Sequence, residues 1–375
     1  MSDATQVRSY KYRLRPNAAQ SAALDAMLRD FCSLHNACLQ QRDEAWRRRR
    51  KRLRYADQAA ELRGVRAEVP ALARWSFTAL QQVLRRVEQS YGAFLSGRRG
   101  RPRFRAAARY HAATFRVGDG LRLRPHGRIA VLGVPGEIKA VWHRALPPDA
   151  RLGTAILTRQ SGKWHVVLSV EAAFAAPGGA GDVGVDLGLS CLFATSDGHR
   201  EPIPRFERRA HKAQRRRQRA LARCKRGSRR RAKAKARLAA ASARIARQRR
   251  DHAHKLSHGL VAAHRRLAFE DLNVAGLKRS RLARSIHDAA WRQLVEMCRY
   301  KASSAGGEVH LVDPRGTSQT CPACGAVAAK PLSLRRHACA CGCDLDRDVA
   351  AAQVIRDRAF GPGHGLRSIS GRVAA

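Results

Sequence analysis

The chain has 375 residues, 44% of them hydrophobic, which is enough for two or three domains with buried cores. Its 74 Lys and Arg against 29 Asp and Glu leave a net charge of +45, an excess that calls for a polyanion, because duplex DNA carries one phosphate charge every ~1.7 Å of axis. The basic residues run through the whole chain with no lipid anchor, no signal-peptide core and no apolar run near the roughly 20 residues that span a bilayer, so a membrane surface is the weaker reading, no membrane partner is expected and a cytoplasmic protein is.

Tyr10, Tyr12 and Leu14 alternate with Lys11, Arg13 and Arg15, the period of a half-exposed strand, until Pro16 ends it. Helical spacing follows from Asn17 to Phe94: Leu24, Met27, Leu28 and Phe31 share one face, and Leu80, Val83, Leu84, Val87, Tyr91 and Phe94 another. Between them Arg47, Arg48, Arg49, Arg50, Lys51, Arg52 and Arg54 lie beside Trp46 and Tyr55. That run suits phosphates with an aromatic to stack on a base, and equally suits a solvated helix face. Residues 97–103 break the pattern, after which 121–124, 129–132 and 164–170 read as strands, with Gln160-Ser161-Gly162-Lys163 as a hairpin turn.

Residues 175–181, AAPGGAG, form a linker-like boundary. The next segment, DVGVDLGL, is an apolar strand that presents Asp186 near its end. An uncompensated carboxylate between Val185 and Leu187 is costly to bury, and a divalent cation is one natural compensation. Residues 205–250 hold a single acid, Glu207, among many Arg and Lys set in alanines, which predicts a long basic helical hairpin that needs an anionic partner. A second apolar strand ends in Glu270, 84 residues beyond Asp186, and an acidic turn carrying Asp348, 78 residues further, enters an apolar helix. Carboxylates commonly end strands and start helices. Three of them on a strand, strand, helix pattern fit a common purpose, a pair of Mg2+ ions for phosphodiester hydrolysis.

Five of ten cysteines fall between 321 and 343. Cys321-Pro-Ala-Cys324-Gly is a metal knuckle, and Cys339-Ala-Cys341-Gly supplies a second pair for a structural, four-thiolate Zn2+ site. Because C-x-C replaces the usual C-x-x-C, Cys343 is an alternative ligand for Cys339 or Cys341. The tail, 361–375, lacks periodicity and apolar bulk and is expected to be mobile.

Taken together, GVDLGL at 184–189, LAFEDLNVAGL at 267–277, and TSQTCPACG leading to CACGCDLDRDVAAA resemble the TnpB family, transposon-associated RNA-guided endonucleases related to type V CRISPR effectors. Further likeness at 10–20, 251–261 and 284–302 extends it over residues 10 to about 357. The resemblance implies a mixed α/β, multidomain protein. A wedge-like β-barrel is expected at 1–15 and 104–176, interrupted by a helical recognition insertion at 16–103. A RuvC-like, RNase H-type nuclease follows at 181–375, with basic helices inserted at 203–255 and a zinc ribbon at 317–344. It implies a guide RNA paired with one strand of double-stranded target DNA, a short adjacent DNA motif read by the protein, and Asp186, Glu270 and Asp348 as metal-holding catalytic residues. One departure stands out: the family has Asn two positions after the third acid, where this chain has Ala350. Silenced relatives act as RNA-guided repressors, and the family has also carried the label of transposase acting on transposon ends; these are the competing expectations.

Overall fold

A computed structural model of the protein describes residues 5–174, 178–273, 276, 283–331 and 333–361, without the side chains of residues 284 and 287. Of the expected linker, 175–177 lie outside the described residues, as does the expected mobile tail from 362 onward. The fold is mixed α/β, and the chain divides into two compact units, Met1–Phe174 and Ala175–Ala375.

The first unit is a closed seven-strand barrel with helices inserted after its first strand. That strand, β1 (Gln6–Arg15), pairs antiparallel with both β5 (Glu137–Val141) and β7 (Lys163–Ala172), and β4 (Arg128–Val131), β3 (Gly120–Arg124), β2 (Ala112–Val117) and β6 (Arg151–Gln160) complete the ring. Closure leaves no free sheet edge. The alternation of β1 puts Tyr10, Tyr12 and Leu14 inside. The β6–β7 hairpin turns at Ser161 and Gly162, both at positive φ (48° and 77°), the geometry that two-residue hairpin loops require. Asn17 and Gln20 form a capping box that starts α1 (Ala18–Arg49), and Ser76 caps α4 (Phe77–Leu95). Between these helices run α2 (Tyr55–Glu68) and α3 (Pro70–Ala73). The apolar faces of α1 and α4 bury Leu24, Met27, Phe31, Leu80, Val83 and Val87 in one core with Phe115, Leu121 and Ile129 of the barrel. The basic run at 47–54 straddles the end of α1 and follows an exposed Trp46 (49%).

The second unit is built on a sheet of order β10 (Arg200–Glu201), β9 (Phe193–Thr195), β8 (Asp182–Leu187), β11 (Arg266–Glu270), β12 (Glu308–Val312). The first three strands are antiparallel neighbours, and β11 lies parallel to both β8 and β12, the strand order of an RNase H-like fold. Central strands covered on both faces read as continuous apolar runs: Val183, Val185, Leu187, Leu267 and Phe269 are all buried. Between β10 and β11 the chain forms the basic hairpin, α5 (Phe206–Ala222) and α6 (Arg229–Ala263). Within 205–250 its only buried residue is Ile245. Then come α7 (Ala283–Ala289), α8 (Trp291–Ser304) packed on α6 and β12, a two-stranded ribbon of β13 (Arg336–Ala338) and β14 (Asp344–Asp346), and α9 (Arg347–Phe360), which lies on β8 and β9.

Candidate active site and metal centre

Parallel pairing explains how two acids 84 residues apart meet. The register runs from Arg266 opposite Asp182 to Phe269 opposite Val185, so the next step along both strands sets Glu270 beside Asp186. Neighbouring strands lie about 4.8 Å apart, and in-register side chains leave the same face. The third acid arrives on α9. Asp346 caps that helix, its carboxylate accepting from the backbone N–H of Asp348 (2.9 Å) and Val349 (3.3 Å), which places Asp348 in the first turn.

The electrostatics agree with this convergence. Burial first, then the charges of Glu270 and Asp348, push the Asp186 carboxyl well above the usual range. Burial also raises Glu270, opposed by the Thr317 hydroxyl and by the charge of Arg358. Glu270 and Asp348 are each 9% exposed. Among the described residues no hydrogen-bond donor reaches the Asp186 side chain, and the three carboxylates do not draw within 4.8 Å of one another as the thiols described below do. Hard oxygen donors brought together from two parallel strands and a helix start are a fitting donor set for divalent cations.

Each of the other two acids is held through one oxygen. Ser190 Oγ donates to Asp348 Oδ2 at 2.6 Å, with the Cys191 thiol 3.6 Å from the same atom. Arg200 of β10 bridges Asp346 (3.0 Å) and Asp348 Oδ2 (3.6 Å). Thr317 Oγ1 donates to Glu270 Oε1. Sequence reasoning missed Ser190, Arg200 and Thr317. A hydroxyl that touches a carboxylate 158 residues away leaves no local pattern; Ser190 within GLSC and Thr317 within TSQTCPACG stood near a motif, and Arg200 did not. Ala350, at the departing position, is buried at 2% exposure.

The cysteine centre is built by two turns. Gly325, at φ +76°, closes the first knuckle, where Gly325 N–H donates to the Cys321 carbonyl. Gly342, at φ +88°, closes the second at the tip of the β13–β14 ribbon. The Sγ atoms of Cys321, Cys324, Cys339 and Cys341 all lie within 4.8 Å of one another. Cys321 and Cys341 are 3.7 Å apart, and Cys324 and Cys339 3.6 Å. A tetrahedron with Zn–S bonds of about 2.3 Å has edges of about 3.8 Å, so the four thiols fit structural zinc. Cys343 groups instead with Cys321 and His337. The C-x-C spacing works because the ribbon turn carries Cys339 and Cys341 to the same side.

At the root of the basic hairpin, Arg249 of α6 pairs with Glu207 of α5 (2.6 Å) and Asp288 of α7 (2.8 Å), while Asp288 also accepts from the Glu207 backbone N–H. The one acid of residues 205–250 is thus used inside the fold. No helix among the described residues is long and apolar enough to cross a membrane.

An RNase H-like sheet with acids gathered where its strands end, joined to a four-cysteine ribbon and sharing a chain with a closed β-barrel unit, defines the class. Residues 291–355 match the family model described as the Cas12f1-like TNB domain, and 165–281 match that of the IS605 OrfB type, described as a probable transposase. A Streptomyces pristinaespiralis protein named as an RNA-guided DNA endonuclease is 33% identical over 93% of this chain and 88% of its own length. InsQ of Escherichia coli K12, named likewise, is 27% identical over 89% of this chain and 87% of its own. The cryo-EM structure of a Cas12f1–sgRNA–target DNA complex contains a chain of the same fold, with TM-score 0.60 and 11% identity, covering 94% of this chain and 99% of that one. The chain belongs to the TnpB family.

Proposed function

We propose that this protein is an RNA-guided DNA endonuclease that cleaves target DNA beside a short adjacent motif by metal-dependent phosphodiester hydrolysis. The observation that carries the reading is the convergence of Asp186, Glu270 and Asp348 from two parallel strands and a helix start in a chain whose relatives are named for that activity. The three carboxylates would hold two Mg2+ ions, which when bound supply Lewis-acid stabilisation of the charge that develops on the scissile phosphate. The protein's own contribution is to fix the acids: Ser190 and Arg200 hold Asp348, and Thr317 holds Glu270. Guide and target supply base-pairing specificity, and the exposed cations of α5 and α6 track their phosphates. The four cysteines hold structural Zn2+, and the protein works in the cytoplasm on nucleoid DNA.

The test is cleavage of a randomised-flank plasmid library by protein expressed with the RNA from its transposon's 3′ end, in Mg2+ and in EDTA, beside Asp186→Ala. Guide- and Mg2+-dependent cutting lost in the variant supports the reading. Guide-directed binding without cutting would instead favour the repressor reading, which the buried Ala350 motivates. Strand exchange at transposon ends without a guide would favour a transposase.

A further inference from the structure

Thr317 lies outside the acid motifs, yet it is 3% exposed and its hydroxyl is in contact with Glu270 Oε1. The same hydroxyl is 3.0 Å from the Pro314 carbonyl. A hydroxyl has one proton, and the ionised carboxylate is the stronger acceptor, so the proton goes to Glu270. Among the described residues, Glu270 Oε2 receives no donor.

The segment that delivers Thr317 lies outside any strand or helix and is tied down by two arginines of α9. Arg358 Nη1 of α9 donates to the carbonyls of Asp313 (2.9 Å) and Arg315 (2.7 Å). Arg347, in the first turn of the same helix and beside Asp348, donates to Ser318 Oγ (3.3 Å) and to the Pro331 and Leu334 carbonyls (2.7 and 3.2 Å). Gly316, at φ +71°, turns the chain so that its carbonyl accepts from Gln319 N–H, Thr320 N–H and Thr320 Oγ1. Four residues beyond Thr317 is Cys321, the buried member of the thiol cluster. One short segment therefore joins the helix that carries Asp348, the cysteine centre and Glu270.

We propose that Thr317 is a positioning residue for the nuclease reaction: its hydroxyl fixes one oxygen of Glu270, so that the other is presented to a divalent cation, and the zinc-bearing module sets that hydroxyl in place. This deepens the nuclease reading and rests on it. A merely structural Thr317, satisfying a buried carboxylate, would affect stability and leave cation affinity alone.

The test uses the guide-loaded protein and Mn2+ as the probe, with binding read by electron paramagnetic resonance and by the half-saturating concentration for cleavage. Thr317→Val, which keeps the shape and removes the hydroxyl, is expected to weaken Mn2+ binding about 10-fold or more, the scale for groups that orient metal ligands. Thr317→Ser restores the hydroxyl and is expected to stay within about threefold of the parent. If Thr317→Val does not accumulate folded, Arg358→Lys takes its place: it retains the positive charge but loosens the segment, and must shift Mn2+ affinity the same way. Unchanged Mn2+ affinity in the variant used, or equal losses in the valine and serine variants, overturns the inference while leaving the nuclease reading standing. Parent protein that neither binds Mn2+ nor cuts overturns the nuclease reading itself.

Discussion

Gly184 of β8 lies directly under Ala352 of α9: a Cβ on Gly184 would sit 1.9 Å from the Ala352 carbonyl oxygen and 2.6 Å from the Arg356 nitrogen. That close approach lets α9 lie on the strand that carries Asp186. Gly184→Ala must push the helix outward, and overpacking of this kind costs about 1–3 kcal/mol or more. The expected result is a lower unfolding midpoint for the second unit together with lost cleavage. Gly259, inside α6 with nothing within 4 Å of where a Cβ would sit, is the control. Gly259→Ala is expected to stabilise by about 0.5–1 kcal/mol, the helix-propensity gain.

Much of this arrangement was legible in the sequence because it is written in local periodicity. The alternation at residues 10–15, the helical faces of 24–31 and 80–87, the turn at 160–163 and the basic hairpin each became the element expected. The strands and helix start that bear Asp186, Glu270 and Asp348 were legible too, since apolar runs that end in acids are local patterns. Their proximity was not: it depends on the parallel register of β8 with β11 and on the gap at Gly184. The contacts of Ser190, Arg200 and Thr317 are wholly tertiary, made over long sequence separations by common residue types. The choice among Cys339, Cys341 and Cys343 needed the ribbon turn.

Ser190 and Asp348 bear on how the third acid is held. With Oδ2 taking Ser190 Oγ at 2.6 Å and Arg200 at 3.6 Å, Oδ1 is the oxygen left for a cation. Ser190→Ala is expected to raise the half-saturating Mg2+ for cleavage about 10-fold, with maximal rate at high Mg2+ largely retained. The check is a Mg2+ titration of guide-directed cleavage, in which an unchanged midpoint would mean the serine does not orient the acid.

The zinc assignment predicts a difference between neighbouring cysteines. Cys341 belongs to the four gathered thiols, whereas Cys343 groups with Cys321 and His337. Metal analysis should find one zinc per chain in the parent, retention in Cys343→Ser and loss in Cys341→Ser. The thermal transition of the second unit should fall in the Cys341 variant, because metal affinity is folding free energy at such a site. The reverse pattern would move the fourth ligand to Cys343.

The first unit should lose stability in acid. His35, 2% exposed, is pushed down to about 4, first by burial and then by the charges of Arg105 and Arg86. Its ordinary value is 6.5. The folded state therefore binds fewer protons than the unfolded state between pH 6.5 and 4, so its contribution is complete above 6.5 and drains away as pH falls through that window. The full shift corresponds to at most about 3 kcal/mol. His165, also pushed down to about 4 by burial, titrates in the same sense. Denaturant unfolding at pH 7 and 5 should show a smaller difference for His35→Gln than for the parent, and smaller still for the double variant with His165→Gln.

At the hairpin root, Asp288 is 8% exposed and takes Arg249 and the Glu207 backbone together. Asp288→Ala removes a buried carboxylate that Arg249 and the Glu207 backbone N–H both use, and losing such a partner costs up to about 3–5 kcal/mol. The consequence should be local, because no residue of the hairpin from 206 to 244 is buried. Trypsin, which cuts after Lys and Arg, should cleave residues 205–250 faster in the variant. The steepness with which RNA binding weakens in added salt should stay near that of the parent, since it counts phosphate contacts made by exposed cations and not by Arg249. A variant whose salt dependence collapsed with its protease resistance would show that the hairpin must be held at its root to grip RNA at all.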